Sequence, residues 1–152
     1  VDPGDDVAFL LAANPGSPPL PLARVASGGE LARAMLALRL VLTEAPDTLV
    51  FDEVDAGVGG AAAVAVGRNL AALGHRHQVL VVTHLAQVAA LADKQVVVSK
   101  NVSADNTYAS VKIVAGAERV QEVARMLSGD ISGEAALLHA ADLLGERAEP
   151  LR

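Results

Sequence analysis

Cysteine is absent, and aromatic residues make up only 2% of the chain. Without thiols there is no disulfide framework and no zinc–thiolate site, and the chain is compatible with the cytosol. With so few rings, a core has to come from close packing of Ala, Val and Leu. These dominate the hydrophobic fraction of 52%. No apolar run approaches the roughly 20 residues of a membrane span, and the opening residues do not read as a signal peptide. Positive charge is also short: 12 Lys and Arg stand against 18 Asp and Glu, a net charge of −6. That argues against a broad nucleic-acid surface, so any DNA contact is expected to be local or to lie outside this chain. The chain opens at Val1 on the turn-like Asp2-Pro3-Gly4-Asp5 and is expected to be a piece of something longer. Its length suffices for one domain that buries about 70% of its unfolded surface.

What is present alternates between short apolar runs and helical periodicity. Val7 to Ala12 reads as a strand, and Asn14-Pro15-Gly16-Ser17-Pro18-Pro19 as a loop. Leu20 to Val25 leads into Ala26-Ser27-Gly28-Gly29-Glu30, from which a helix runs to Thr43. Leu31, Met35, Leu38 and Leu42 fall on one stripe with Ala34 and Val41 beside it, while Glu30, Arg33 and Glu44 fall outside. Pro46 ends that element. Thr48-Leu49-Val50-Phe51 reads as a buried parallel strand running into Asp52-Glu53. A helix from about Gly60 to Leu73 is closed by Gly74. Gln78 to Val82 is a further strand, and Thr83-His84 opens a helix to about Ala92. Gln95 to Ser99 and Tyr108 to Val114, separated by the polar Asn101 to Asn106, suggest an antiparallel hairpin. Val120, Val123, Ala124 and Leu127 mark an amphipathic helix, and Ser132 to Leu144 a last one. This order implies an α/β fold, a mostly parallel sheet flanked by helices with a C-terminal antiparallel hairpin. Residues 1–144 are expected to form a single domain and 145–152 a flexible tail.

Three short stretches could carry chemistry. Asp52 and Glu53 end a strand, at the edge where open α/β sheets bind ligands. One carboxylate there can hold Mg²⁺ while the other orients or deprotonates a water; the pair also suits the start of a helix. Ser27-Gly28-Gly29-Glu30 is a complete capping box, and its glycines also expose backbone N–H groups to an anion. His84, after the strand 78–82, could donate to a phosphate or a water, or could bond backbone at a helix start. His75 and His77 read as solvated loop residues without a third metal ligand. His139 reads as a packing or surface residue, and Arg24 as either a phosphate partner or a surface arginine. Gly57-Val58-Gly59-Gly60-Ala61-Ala62 formally matches a dinucleotide fingerprint. It lacks both the tight turn after the strand and the ribose-binding acid.

In this order, Ser27-Gly28-Gly29-Glu30, Leu49-Val50-Phe51-Asp52-Glu53 with Asp55, and Val82-Thr83-His84 resemble three motifs of one family. They are the signature motif, the Walker B strand with its D-loop, and the switch histidine of the C-terminal lobe of an ABC-type ATPase head, as in the SMC and Rad50 group. Asn14-Pro15-Gly16, the run Ala23 to Arg33, Phe51 to Gly57, Val82 to Ala89, Val98-Ser99-Lys100 and the Glu122-to-Leu127 helix are similar to that group's bacterial DNA-repair branch. The resemblance implies that Asp52 supports Mg²⁺, Glu53 polarises the attacking water and His84 contacts the γ-phosphate. It implies that Ser27, Gly28 and Gly29 grip the γ-phosphate of an ATP bound mainly to a second head, with Glu30 and Asp55 in the same ATP-binding set. Asp55 would couple the two sites across that interface. It further implies a cytoplasmic, nucleoid-associated homodimer that meets DNA through the intact protein, without a membrane partner. No G-x-x-x-x-G-K-[ST] loop occurs in the sequence. In the family that loop lies in an N-terminal lobe, so this chain alone is expected neither to bind ATP tightly nor to hydrolyse it. Two alternatives are a transporter-type nucleotide-binding domain and an ATP-dependent dimerisation module without hydrolysis. The first needs a helical subdomain before the signature, and the second has no need for a base.

Overall fold

A computed structural model describes residues 4, 6, 8–12, 16–25, 27–41, 46–102, 106–129 and 133–146. The strand read over Val7 to Ala12 contracts to β1, Leu10–Leu11, with Val7 outside the described residues. β1 pairs antiparallel with β2, Leu20–Pro21, across the proline-rich stretch. The short α1, Leu22–Val25, and then α2, Gly28–Val41, follow. Residues 42–45, including the expected helix end at Thr43, lie outside the described residues. β3, Thr48–Asp52, crosses through α3, Gly60–Gly74, to β4, Gln78–Val82. The two strands pair in parallel, with Thr48 opposite Gln78 and Asp52 opposite Val82. α4 is only Ala86–Ala90. β5, Gln95–Val102, and β6, Thr107–Val114, form the antiparallel hairpin, with Gln95 opposite Val114. α5, Gly116–Ser128, and α6, Glu134–Glu146, complete the described chain.

The expectation of a mostly parallel sheet is corrected. The described strands form three two-stranded sheets, and only β3–β4 is parallel. A parallel pair needs a crossover of a dozen or more residues, which α3 supplies, whereas short connections return the chain antiparallel. The strands of the other two pairs follow one another directly and fold back on themselves. The hairpin strands also reach further than expected, since Asn101 and Val102 belong to β5. α6 runs two residues past Leu144, to Glu146; residues 147–152 lie outside the described residues. Gly74 is the last helical residue of α3, and His75, in right-handed conformation, is its cap.

Two apolar clusters hold these elements together. Leu36 of α2, Leu49 and Phe51 of β3, Val54, the α3 residues Val66, Leu70 and Leu73, and Val88 of α4 form the first. Ala86 and Ala90 of α4 join Val123, Ala124, Ala140 and Leu143 of α5 and α6 in the second. The small α4 therefore serves both. It lies so close to α3 that a Cβ on Gly67 would sit 2.7 Å from Leu91 Cδ1. Arg119 of α5 caps its end: Nη2 donates to the carbonyls of Ala89 and Ala92 at 3.1 and 2.7 Å. A guanidinium on the last carbonyls offsets the partial negative charge of a helix C-terminus.

The apolar run of β3 is buried on one face only. Leu49 and Phe51 face the first cluster, whereas Val50 is 68% exposed and Leu80 and Val82 of β4 share its open face. The outer face of the hairpin is likewise an exposed ladder of Val96, Ile113, Val98 and Val111. α2 also departs from its expected stripe. Leu31, Met35 and Val41 are exposed, while Gly29 and Leu36 are buried with Ala32 against the core. Gly29 and Ala32 are small enough to let the helix approach, so the close-packed face is not its most apolar one. Among the described residues no helix is long and apolar enough to cross a membrane.

Candidate functional site

The parallel register places the chemistry. Since Asp52 pairs with Val82, Glu53 and Thr83-His84 are the next residues out on both strands, at the C-terminal edge of the pair. Asp52 and Glu53 are both exposed there. Glu53 adopts φ 56°, the only described non-glycine residue with positive φ. An L-residue held left-handed costs about 1–2 kcal/mol, and such strain concentrates where function needs a particular direction of the chain. A hydrogen bond from the Ala56 N–H to the Glu53 carbonyl, 3.0 Å, closes the turn, and the fully buried Val54 anchors it.

The capping box forms as expected. The Ser27 N–H donates to Glu30 Oε2 at 2.7 Å, and the Glu30 N–H donates to Ser27 Oγ at 3.3 Å. It engages the amides of Ser27 and Glu30, so those of Gly28 and Gly29 are the remaining donors of the first turn. Ser27 Oγ accepts in the box and keeps its own proton to donate elsewhere. The turn lies against the acidic one. A Cβ on Gly28 would stand 3.2 Å from Glu53 Oε2, and one on Gly29 only 2.8 Å from the Ala56 carbonyl oxygen and 2.9 Å from Ala56 Cβ. Gly29 thus has a packing reason as well as an anion-binding one.

The bond to the Ser27 amide, its largest cause, holds the Glu30 carboxyl below its ordinary value of 4.5; the Ser27 hydroxyl and Arg33 act in the same direction. A lowered folded-state value means that the ionised bond stabilises the fold above the ordinary glutamate range. That contribution disappears as pH falls through the lowered value. Glu30→Gln keeps an acceptor without the charge. The difference in unfolding midpoint between wild type and Glu30→Gln is therefore expected to be level from pH 7 to about 5 and to shrink on further acidification. A difference that stays constant down to pH 3 would refute this role.

Asp55, Thr83 and His84 meet behind the edge. Asp55 is 1% exposed. The Thr83 hydroxyl donates to Asp55 Oδ2 and accepts the Leu85 N–H at 3.0 Å. His84 Nδ1 lies 3.6 Å from the same Asp55 oxygen, its side chain 75% exposed. The expected helix start at Thr83-His84 is corrected: residues 83–85 are non-helical and α4 begins at Ala86, because the Thr83 side chain bonds the local backbone in place of a helical turn. From α2, Arg33 Nη1 donates to the carbonyls of Val54 and Ala56 at 3.3 and 2.8 Å. Thr83 and Arg33 were not singled out by sequence as site residues. A threonine beside a histidine at a strand end was a signal for such a turn, but Arg33 looked like a surface residue of α2.

The donor set fits the groups that the resemblance implies. Exposed carboxylates at a strand end suit a hydrated Mg²⁺ that keeps waters and phosphate oxygens as its other ligands, and a glycine-bearing helix start suits a phosphate. The remaining histidines do not join this edge: His75 and His77 follow α3, and His139 is exposed on α6. Arg24 is exposed in α1. Among the described residues no three His, Asp or Glu side chains gather as a metal cage.

No protein-family model matches the chain. Curated relatives do. It is 52% identical over 142 residues to the DNA repair protein RecN of Treponema pallidum. It is 53% identical over 142 residues to that of Streptomyces coelicolor, and 54% identical over 139 residues to that of Deinococcus radiodurans. These matches cover 91–92% of this chain and 24–25% of the relatives, so the chain spans about a quarter of their length. Such identity, sustained over nine-tenths of the chain, makes it homologous to a segment of the DNA repair protein RecN.

Proposed function

We propose that this chain is the C-terminal lobe of the ATPase head of a RecN-like, SMC-family protein that acts in DNA double-strand break repair and recombination. The observation that carries this reading is the register of Asp52 with Val82. It sets Glu53 and His84 on one sheet edge beside the Ser27-Gly28-Gly29-Glu30 turn. The RecN similarity supplies the biological setting. Two alternatives lose support. A transporter domain would carry a helical subdomain before the signature, where this chain has β2 and the four-residue α1. A pure dimerisation clamp has no use for a strained acidic residue aligned with a histidine.

Mg²⁺–ATP, when bound, supplies the phosphoryl group to be transferred and neutralises its developing charge. Asp52 offers its carboxylate to the metal side of that complex. Glu53 takes or orients the proton of the attacking water, and its fixed backbone holds the carboxylate in place. His84, exposed at the same edge, donates to the γ-phosphate. Ser27 Oγ–H and the amides of Gly28 and Gly29 donate to a γ-phosphate presented by a second head, with Glu30 keeping that turn rigid. Two heads closing on ATP would bring these groups together, and the intact protein would couple that closure to DNA in the bacterial cytoplasm.

The open faces support a second lobe. Val50, Leu80 and Val82 form an apolar surface on a parallel pair, a class of sheet ordinarily covered on both sides. A lobe bearing the phosphate-binding loop is the occupant we assign. The expected result is no ATP turnover by this chain alone, and turnover when it is combined with that lobe and Mg²⁺. Measurable hydrolysis by the isolated chain would overturn the division of labour. Failure of the assembled lobes to hydrolyse would leave the clamp.

A further inference from the structure

We propose that Asp55 and Thr83 are positioning residues for His84, acting inside their own lobe; this rests on the reading of His84 as a γ-phosphate contact. The family resemblance implied a role for Asp55 across a head–head interface. Within this lobe its carboxylate is buried and engaged: Oδ2 receives the Thr83 hydroxyl and lies 3.6 Å from His84 Nδ1. At 3.6 Å the contact is longer than a hydrogen bond, so the carboxylate favours by proximity the ring orientation that turns the other nitrogen outward. Here Nδ1 faces the carboxylate, and Nε2 is the nitrogen left for a ligand. His84 is otherwise an exposed side chain at the end of a strand, with nothing in its local sequence to restrict its rotamer.

Thr83 makes the arrangement rigid. Its hydroxyl donates to Asp55 and accepts from the Leu85 amide, so one oxygen locks both the acid and the backbone on either side of His84. The turn carrying Asp55 is also held from α2, where Arg33 donates to the carbonyls that flank it, those of Val54 and Ala56. The Val54-to-Ala56 turn is thus pinned between α2 and the 83–85 loop, and the imidazole is referenced to both. A contact made by an exposed histidine has directional value only if the ordering is prepaid in this way.

The test uses the intact ATPase that contains this chain. Thr83→Val keeps the branched shape and removes the hydroxyl; Thr83→Ser keeps the hydroxyl. Thr83→Val is expected to lower kcat by about tenfold to a hundredfold with KM for ATP and ATP-dependent dimerisation unchanged. Thr83→Ser should restore most of the loss. Should Thr83→Val not fold, Asp55→Asn is read by the same split between kcat and KM. An unchanged kcat in these variants overturns the proposal. So does a loss that Ser does not repair, or one in which KM and dimerisation change equally. Wild-type protein without ATP turnover would instead overturn the functional reading itself, and this proposal with it. Normal wild-type turnover that Glu53→Gln abolishes but Thr83→Val leaves intact would sink the positioning role alone.

Discussion

Glu53→Gln is expected to reduce ATP turnover by the intact protein by about 10²–10⁴-fold while ATP-dependent dimerisation persists. That range is what a positioned general base contributes, and the substitution removes the proton-accepting charge with almost no change of volume. Binding should survive, because the groups assigned to grip phosphate are elsewhere: the amides of Gly28 and Gly29 and the hydroxyl of Ser27. The structure adds a reason to expect that geometry is unaffected. Glu53 owes its left-handed φ of 56° to the closed turn, with the Ala56 N–H on its carbonyl and Val54 fully buried. Neither contact uses the carboxylate. Turnover should be followed as phosphate release at saturating ATP, with oligomeric state read in parallel. Equal turnover in wild type and variant would remove Glu53 as the base and favour the clamp.

Phe51→Ala is expected to destabilise the chain by about 3–5 kcal/mol. In a sequence with 2% aromatics, Phe51 is the one aromatic side chain found buried among the described residues; Phe9 and Tyr108 are exposed. It sits in the first cluster with Leu49, Val66, Leu70 and Leu73, so its removal leaves a cavity that the surroundings fill only in part. Typical domain stability is about 5–15 kcal/mol, so the loss is a large share of the total. Val50→Ala on the opposite face of the same strand should cost less than about 0.5 kcal/mol in the isolated chain. It should cost more in the intact protein if a second lobe covers that face. Denaturant unfolding at matched temperature measures both. A Phe51 effect below about 1 kcal/mol would show that β3 does not anchor this core.

Sequence by itself determined the succession of elements, because apolar period and turn residues are local properties. The acidic strand end, the capping box from Ser27 to Glu30, the crossover helix after Gly59 and the final hairpin were all legible, and the box appears with both its hydrogen bonds. The resemblance to a bacterial DNA-repair family is matched by 52% identity to RecN over 92% of the chain. Only the tertiary structure decided which faces are covered. Leu31 and Met35 make the stronger stripe on α2, yet the buried side is that of Gly29, Ala32 and Leu36. Periodicity records which residues are apolar, while close approach depends on where side chains are small. The same holds for the site. That Asp55 is buried, that Thr83 bonds it and that Arg33 grips the turn from α2 all join residues 21 to 28 positions apart. No local pattern encodes such contacts, because they exist only once β3, β4 and α2 have been brought side by side.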